Sequence, residues 1–175
     1  SREVEKHLHT RDQVCSFIGA YMNEIRQYLE IPQNVQLYVM EKRRPTLDSK
    51  KNVKKSGIHI VVPDVCTHKF VEQRARRNLL KTMDQHFGGL PLTESWEKIY
   101  DEQVVNRTVP WTLYGSRKND VNSLPYLVSY IVDWTPNGLK IIDEVPKESV
   151  SLMKTLSLYR EEKDGVETPM TEEAR

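Results

Sequence analysis

Short apolar segments with the alternating pattern of β-strands recur along the chain and constrain its fold more than any other feature. Residues 35–41 alternate apolar with polar or amphipathic side chains, and residues 57–63 read Gly-Ile-His-Ile-Val-Val-Pro. Further strands are predicted at 96–105, 111–114, 125–133 and 137–145, separated by turn or loop signals. Many short strands joined in this way indicate a mainly antiparallel sheet.

Three predicted helices accompany the strands. In residues 10–31, Thr10 and Gln13 form a capping box, and apolar residues then recur at helical spacing. A second helix is predicted at 68–87 and a third at 146–160. The combination predicts an α+β fold class, an antiparallel sheet flanked by helices on one face.

The length and composition bound the organisation of the chain. Its 175 residues suit one domain with a substantial core, which we expect at 1–160, followed by an acid-rich linker at 161–175. The two cysteines form no CxxC motif, and they fit free thiols in a reducing, intracellular compartment. No apolar run approaches the length of a membrane span, so we expect no membrane partner.

Positive charge is concentrated in one segment. Lys and Arg total 26 against 25 Asp and Glu, so the net charge of +1 identifies no partner by itself. Residues 42–55, however, contain one acid, Asp48, and the basic residues Lys42, Arg43, Arg44, Lys50, Lys51, Lys54 and Lys55. We predict a loop there that binds nucleic-acid phosphates. Arg74 and Arg77 form a second basic face on the predicted helix, although such a face is most often simply solvated.

His59 is the first candidate for chemistry. An isolated histidine in a strand is more often a structural residue than a ligand. Here Ser56 and Gly57 precede it, and glycine lets the backbone approach a ligand closely. With the lysines upstream, an imidazolium at His59 could hold a phosphate.

Two further segments carry candidate ligands. Asp101 lies inside a predicted strand, so it either faces solvent or holds a hard cation such as Mg²⁺. Arg107 precedes a short aromatic segment that ends in Gly115-Ser116-Arg117-Lys118. A Gly-Ser turn that carries Arg and Lys can cradle a phosphate, and its alternative is a solvated basic turn.

The remaining motifs point to no common enzyme class. The chain contains no nucleotide P-loop, GxSxG, HExxH or GxGxxG motif. His7 and His9 form an HxH pair, but no strand pattern surrounds them. We therefore expect them on an exposed approach to the first helix.

The order of these segments resembles the archaeo-eukaryotic primase superfamily. The most similar branch lies at the N-terminus of primase–helicases of large DNA viruses and related plasmids and phages. The resemblance rests on the 57–63 strand, on Asp101 and on the segment Tyr114-Gly115-Ser116-Arg117-Lys118. It covers about residues 35–133.

The resemblance implies a catalytic sheet like that of RNA-recognition motifs and template-directed nucleotidyl transfer that makes primers for DNA replication. It implies that His59 and Ser56 contact the incoming triphosphate and that Asp101 is a ligand of a two-metal Mg²⁺ or Mn²⁺ site. The other nucleotide-binding residues would be Arg107, Ser116, Arg117 and Lys118. Expected partners are a single-stranded DNA template, nucleoside triphosphates and a helicase domain in the same polypeptide, assembled as an oligomer of identical chains. Such a protein would work at viral replication sites in the host cell.

The chain departs from the family pattern at its first metal motif. The family places D-x-D or D-x-E on a strand before the histidine strand, and neither occurs upstream of Ser56, where a lone Glu41 is a poor substitute. Either the motif lies on residues outside this sequence, or the domain is an inactive module that binds single-stranded nucleic acid or acts as a scaffold. A rolling-circle endonuclease is a third alternative, but its two-histidine motif is absent from the 57–63 strand.

Overall fold

A four-stranded antiparallel sheet organises the protein. The computed structural model describes residues 6–48, 51–109, 111–117, 123–147, 149–157 and 167–175. The strands are β1 (Val35–Lys42), β2 (Thr46–Asp48), β3 (Val53–Lys55), β4 (Ile58–Val61), β5 (Tyr126–Thr135) and β6 (Gly138–Ile142). The main sheet has the order β4-β1-β5-β6, and β2 and β3 form a separate hairpin. The predicted antiparallel α+β class is therefore confirmed.

Within the described ranges, six α-helices accompany the sheet: α1 (Arg11–Ile25), α2 (Lys69–Leu79), α3 (Met83–Phe87), α4 (Trp96–Ile99), α5 (Glu102–Val105) and α6 (Ser149–Thr155). Short 3-10 turns occupy Leu80–Thr82 and Glu172–Ala174. The predicted capping box is present, because Thr10 accepts from the Gln13 amide while the Gln13 side chain accepts from the Thr10 amide. In the part of the chain that the structure covers, no helix is long and apolar enough to cross a membrane.

Helices cover both faces of the sheet, whereas the sequence predicted one. Alternate residues of β1, Val35, Leu37 and Val39, join a core formed mainly with α1, α2 and α3. The intervening residues Tyr38 and Met40 are apolar too, and they are buried with Leu152 and Leu156 in and after α6. Because successive side chains of a strand point to opposite faces, a strand that is apolar on both faces needs cover on both.

The central strand β1 sets the register at the end of the sheet that carries the candidate residues. It pairs Met40 with His59 of β4 and Lys42 with Tyr126 of β5. The register of β5 shifts between Tyr130 and Val128, which leaves Ser129 as an unpaired bulge residue. Bulges redirect neighbouring side chains, and this one lies beside Glu41.

The strand predictions at 96–105 and 111–114 are wrong. Residues 96–105 form the two short helices α4 and α5, and residues 111–114 are in neither a helix nor a strand. The α4–α5 segment is held by a tertiary contact: the Arg76 guanidinium of α2 donates to the backbone carbonyls of Glu97 and Tyr100 at 2.7 and 2.9 Å. That contact satisfies carbonyls which a strand would have offered to a neighbouring strand.

Residues 167–175, expected in a linker, pack back onto the domain. Met170 forms a β-bridge with Leu29, just beyond α1, and its side chain packs against the main core. The Glu30 amide donates to the Pro169 carbonyl at 2.8 Å, and the Thr168 amide donates to the Cys66 carbonyl at 2.8 Å. The domain boundary near residue 160 stays a prediction, because residues 158–166 lie outside the described part of the chain.

Candidate nucleotide site

The imidazole of His59 is enclosed by aromatic rings on the face of the sheet away from α1 and α2. It stacks on Tyr126 with centroids 3.8 Å apart and an interplanar angle of 12°, and the Trp111 ring lies 4.8 Å away at 41°. The Nδ1 atom of His59 is buried.

Tyr126 connects three of the predicted segments, although the sequence analysis did not select it. Its ring stacks on His59, and the Lys42 ammonium lies over the ring, 5.4 Å from its centroid. Its backbone carbonyl accepts from the Gly115 amide at 2.9 Å, which anchors the Gly-Ser turn. Burial raises the pKa of the Tyr126 hydroxyl, so it stays protonated at neutral pH. No sequence signal identified this residue, because its position opposite Lys42 follows from the pairing of β1 with β5.

Gly57 is required by packing against Tyr126, which differs from its predicted role. A Cβ atom at this position would lie 2.6 Å from the Tyr126 hydroxyl oxygen. From the sequence, we expected a ligand to approach the backbone closely at Gly57. In the structure, the tyrosine occupies that space, and it fixes the start of β4 relative to the ring.

His7 and His9 are not on an exposed approach, so that prediction is wrong. His7 lies 2.6 Å from the Ser56 hydroxyl through Nδ1 and 2.8 Å from the Lys42 carbonyl through Nε2. His9 pairs with Glu41 at 2.5 Å, and the exposed fractions of their side chains are 5% and 10%. The HxH motif therefore holds the ends of β1 and β4 together ahead of α1.

The electrostatics of Glu41 reflect these contacts. Burial acts to raise its pKa, but hydrogen bonds from His9 and Ser129 outweigh burial and lower the pKa below its ordinary value. Glu41 is thus an ionised carboxylate at neutral pH, held inside the protein by His9 and Ser129. From the sequence, Glu41 was only a poor substitute for the missing D-x-D or D-x-E motif.

Asp101 occupies a different environment from the predicted one. It is not in a strand: it is the N-cap of α5, and its carboxylate accepts from the Gln103 amide at 2.9 Å. Helix α5 packs on α2, so Asp101 belongs to the helical layer, whereas His59 faces the other side of the sheet. Among the described residues, no group of three or more His, Cys, Asp or Glu side chains could hold a metal ion.

The segment 107–117 is only partly arranged as predicted. The Arg107 guanidinium donates to the Thr67 carbonyl at 2.5 Å, so it fastens the segment to the loop before α2. Gly115 and Ser116 form the expected turn, in which the Ser116 amide donates to the Leu113 carbonyl at 3.1 Å, and Arg117 is exposed beside it. Lys118 lies outside the described residues.

The basic segment 42–55 forms the β2–β3 hairpin rather than an irregular loop. Two of its lysines are in ion pairs: Lys51 with Glu94 at 2.8 Å and Lys55 with Asp48 at 2.6 Å. Lys54, Arg43 and Arg44 are exposed, and Lys50 lies outside the described residues. Positive charge on this hairpin therefore comes mostly from the residues next to the end of β1.

Arg74 and Arg77 are exposed on α2, in the helical layer. The Arg74 guanidinium donates to the Tyr28 hydroxyl at 2.8 Å and lies over its ring. Both arginines lie in a helix, whereas His59 lies in a strand. In the described part of the chain, no contact joins them to the His59 cluster. They remain a predicted nucleic-acid surface separate from it.

Comparison with known proteins identifies the type of domain. Residues 1–132 match the family model described as the C962R protein N-terminal AEP domain. The chain is 34% identical over 132 residues to a protein named "Putative helicase L207/L206" from Acanthamoeba polyphaga mimivirus. The match covers 74% of this chain and 13% of that relative, so the chain spans a small part of the relative's length. No solved structure matches the chain.

Proposed function

Because the chain belongs to the family of C962R-type AEP domains, the archaeo-eukaryotic primase domains, we propose that it is the nucleotide- and template-binding part of a primase. The observation that carries this proposal is the grouping around Tyr126. His59, Lys42 and the Gly115-Ser116 turn all contact that one residue. An imidazole and an ammonium are groups that bind phosphates, whereas the Gly115 and Ser116 amides already donate to carbonyls within the protein and serve to place the turn.

In the proposed reaction, a 3′-hydroxyl attacks the α-phosphate of a nucleoside triphosphate that is held on this surface. The residues of this chain would bind and orient the triphosphate through His59 and Lys42, with Ser116, Arg117 and Lys118 at the turn. These groups can contribute to the reaction in two ways. They neutralise the negative charge of the phosphates, which would otherwise repel the attacking hydroxyl, and they hold the phosphates in position.

The described carboxylates do not fit the two-metal site that the family implies. Asp101 already caps α5 on the helical layer, and Glu41 is engaged by His9. We therefore derive no step through Mg²⁺ or Mn²⁺ from these residues. In this proposal, the carboxylates that bind metal are outside this sequence, in the longer protein that also carries a helicase domain.

The template would bind along the exposed basic residues next to the site. Lys42 continues into Arg43 and Arg44, which are exposed at the end of β1. Such a surface binds the phosphates of single-stranded DNA without reading bases, and its affinity falls steeply with salt. Replacing Arg43 and Arg44 together with alanine should lower the salt slope of oligonucleotide binding by about 1.4, measured by fluorescence anisotropy.

Calorimetric titration of the chain with a nucleoside triphosphate and Mn²⁺ tests the nucleotide site. His59→Ala and Lys118→Ala should each weaken binding by about 5- to 150-fold, which is the effect of a charge-assisted hydrogen bond. His86→Ala is the matched control, because His86 bonds to Ser16 on the helical layer. Unfolding of either variant would mean that the residue is structural and would remove it from the site.

The second candidate function is an inactive module that binds single-stranded nucleic acid. It is favoured by the poor fit of Asp101 to a metal site. This alternative predicts oligonucleotide binding that His59→Ala leaves unchanged, together with no binding of nucleoside triphosphates. Triphosphate binding that depends on His59 would exclude it.

A further inference from the structure

His7 bridges Lys42, the last residue of β1, and Ser56, which lies two residues before β4. Its Nε2 lies 2.8 Å from the Lys42 carbonyl and its Nδ1 lies 2.6 Å from the Ser56 hydroxyl. Its ring is half-buried, and the pair of contacts spans the same two strands that carry Lys42 and His59. The HxH motif has no part in the proposed function as stated above.

The two contacts determine where the protons lie. A carbonyl oxygen can only accept, so Nε2 of His7 must carry a hydrogen. In a neutral imidazole, Nδ1 then has a lone pair and accepts the hydrogen of the Ser56 hydroxyl. In this state Ser56 has no hydrogen left to donate to an anion.

A protonated His7 reverses the direction of the second contact. Nδ1 then donates to the Ser56 oxygen, and the hydroxyl hydrogen of Ser56 becomes available to another acceptor. A phosphate oxygen is such an acceptor, and a nearby anion also favours the imidazolium. The proton comes from solvent.

The Ser56–His7 pair adjoins the cluster around Tyr126 by two routes. Ser56 directly precedes Gly57, above which the Tyr126 hydroxyl lies. Lys42 accepts from His7 through its carbonyl and lies over the Tyr126 ring through its ammonium. A ligand held by Lys42 and His59 would therefore be next to Ser56.

We infer that His7 is a positioning residue of the nucleotide site: it holds the Ser56 hydroxyl in the free protein and, by taking up a proton, turns it toward a bound phosphate. This inference rests on the proposed function. The charged and titratable groups around His7 are the His9 ring, stacked at 5.2 Å, the Glu41 carboxylate and the Lys42 ammonium. A bound phosphate would neutralise the Lys42 ammonium.

The test is calorimetric titration of this chain with inorganic tripolyphosphate at pH 7 in two buffers of different ionisation enthalpy. The difference between the buffers gives the number of protons taken up. His7→Asn can accept from Ser56 but cannot be protonated, so it should weaken binding about fivefold and reduce the proton uptake. Ser56→Ala should weaken binding to the same extent, and adding His7→Asn to it should have no further effect.

His86→Asn is the matched control, since Nδ1 of His86 lies 2.8 Å from the Ser16 hydroxyl on the helical layer. It should change neither affinity nor proton uptake. Nitrogen NMR of the His7 ring gives a reading without any variant: the Nε2–H tautomer in the free protein, and the imidazolium after tripolyphosphate is added.

The possible outcomes distinguish a failure of the role inferred for His7 from a failure of the proposed nucleotide site. Tripolyphosphate binding in which His7 stays neutral, or in which His7→Asn keeps the full proton uptake, would overturn the role of His7 and leave the nucleotide site standing. If the unaltered chain does not bind tripolyphosphate, the proposed site fails and this inference fails with it.

Discussion

Removing the His9 side chain is expected to lower the free energy of unfolding by about 2–3 kcal/mol at pH 7. The His9–Glu41 pair is shielded from water, with side chains 5% and 10% exposed. Removing one partner of a fully buried ion pair leaves the other charge uncompensated, which costs about 3–5 kcal/mol. The expected loss is smaller here because Ser129 still bonds to Glu41. Urea denaturation of the wild-type chain and of His9→Ala, followed by circular dichroism, measures the difference.

The pH dependence of that loss has a definite sign. The folded-state pKa of Glu41 is below its ordinary value of 4.5, so the contribution of the pair is fully present above that pH. It disappears as the pH falls through the folded-state pKa. The gap between the wild-type chain and His9→Ala should therefore narrow in acid below about pH 4.5.

A double-mutant cycle with Glu41→Gln isolates the interaction from the loss of the imidazole itself. His86→Ala is the control, because that histidine is bonded on the helical layer. A coupling energy below about 0.5 kcal/mol at pH 7 would refute the reasoning, since the burial of the pair would then have no energetic consequence. A gap that widens in acid would contradict the direction of the Glu41 pKa.

Three further changes test the packing around the site and the tail. Tyr126→Leu should weaken triphosphate binding about fivefold, measured by calorimetry, because it releases His59. Tyr126→Phe keeps the ring, so its affinity should stay within twofold of the wild type. Equal losses in the two variants would mean that the hydroxyl matters and the ring stack does not. Gly57→Ala should destabilise the fold by about 1–3 kcal/mol, since its Cβ would meet the Tyr126 hydroxyl, and a neutral effect in urea would show that the ring moves freely. Met170→Ala should cost about 1–2 kcal/mol because the tail packs on the core, and an unchanged urea midpoint would mean that this docking is not stabilising.

Local sequence patterns were sufficient wherever an element depends on its own residues. The capping box at Thr10 and the strand at 35–41 were predicted and are present. The α4–α5 segment was mispredicted because its helices have four residues each and depend on Arg76 of another helix. So short a helix has little stability of its own, and its apolar residues fit a strand pattern equally well.

The sequence alone determined the family resemblance, the antiparallel α+β class and the candidates His59, Ser56 and Lys42, because these follow from residue order and from a period of two. The tertiary structure decided which candidates meet. Tyr126 and His7 are far in sequence from the residues they contact. The register of β1 with β4 and β5 places Tyr126 beside His59, and the segment before α1 brings His7 to Lys42 and Ser56. The tertiary structure also placed Asp101 at the N-cap of α5, a helix that packs on α2, and not in a strand. Spacing along a chain carries no information about such pairings, since they are set by how strands align across the sheet.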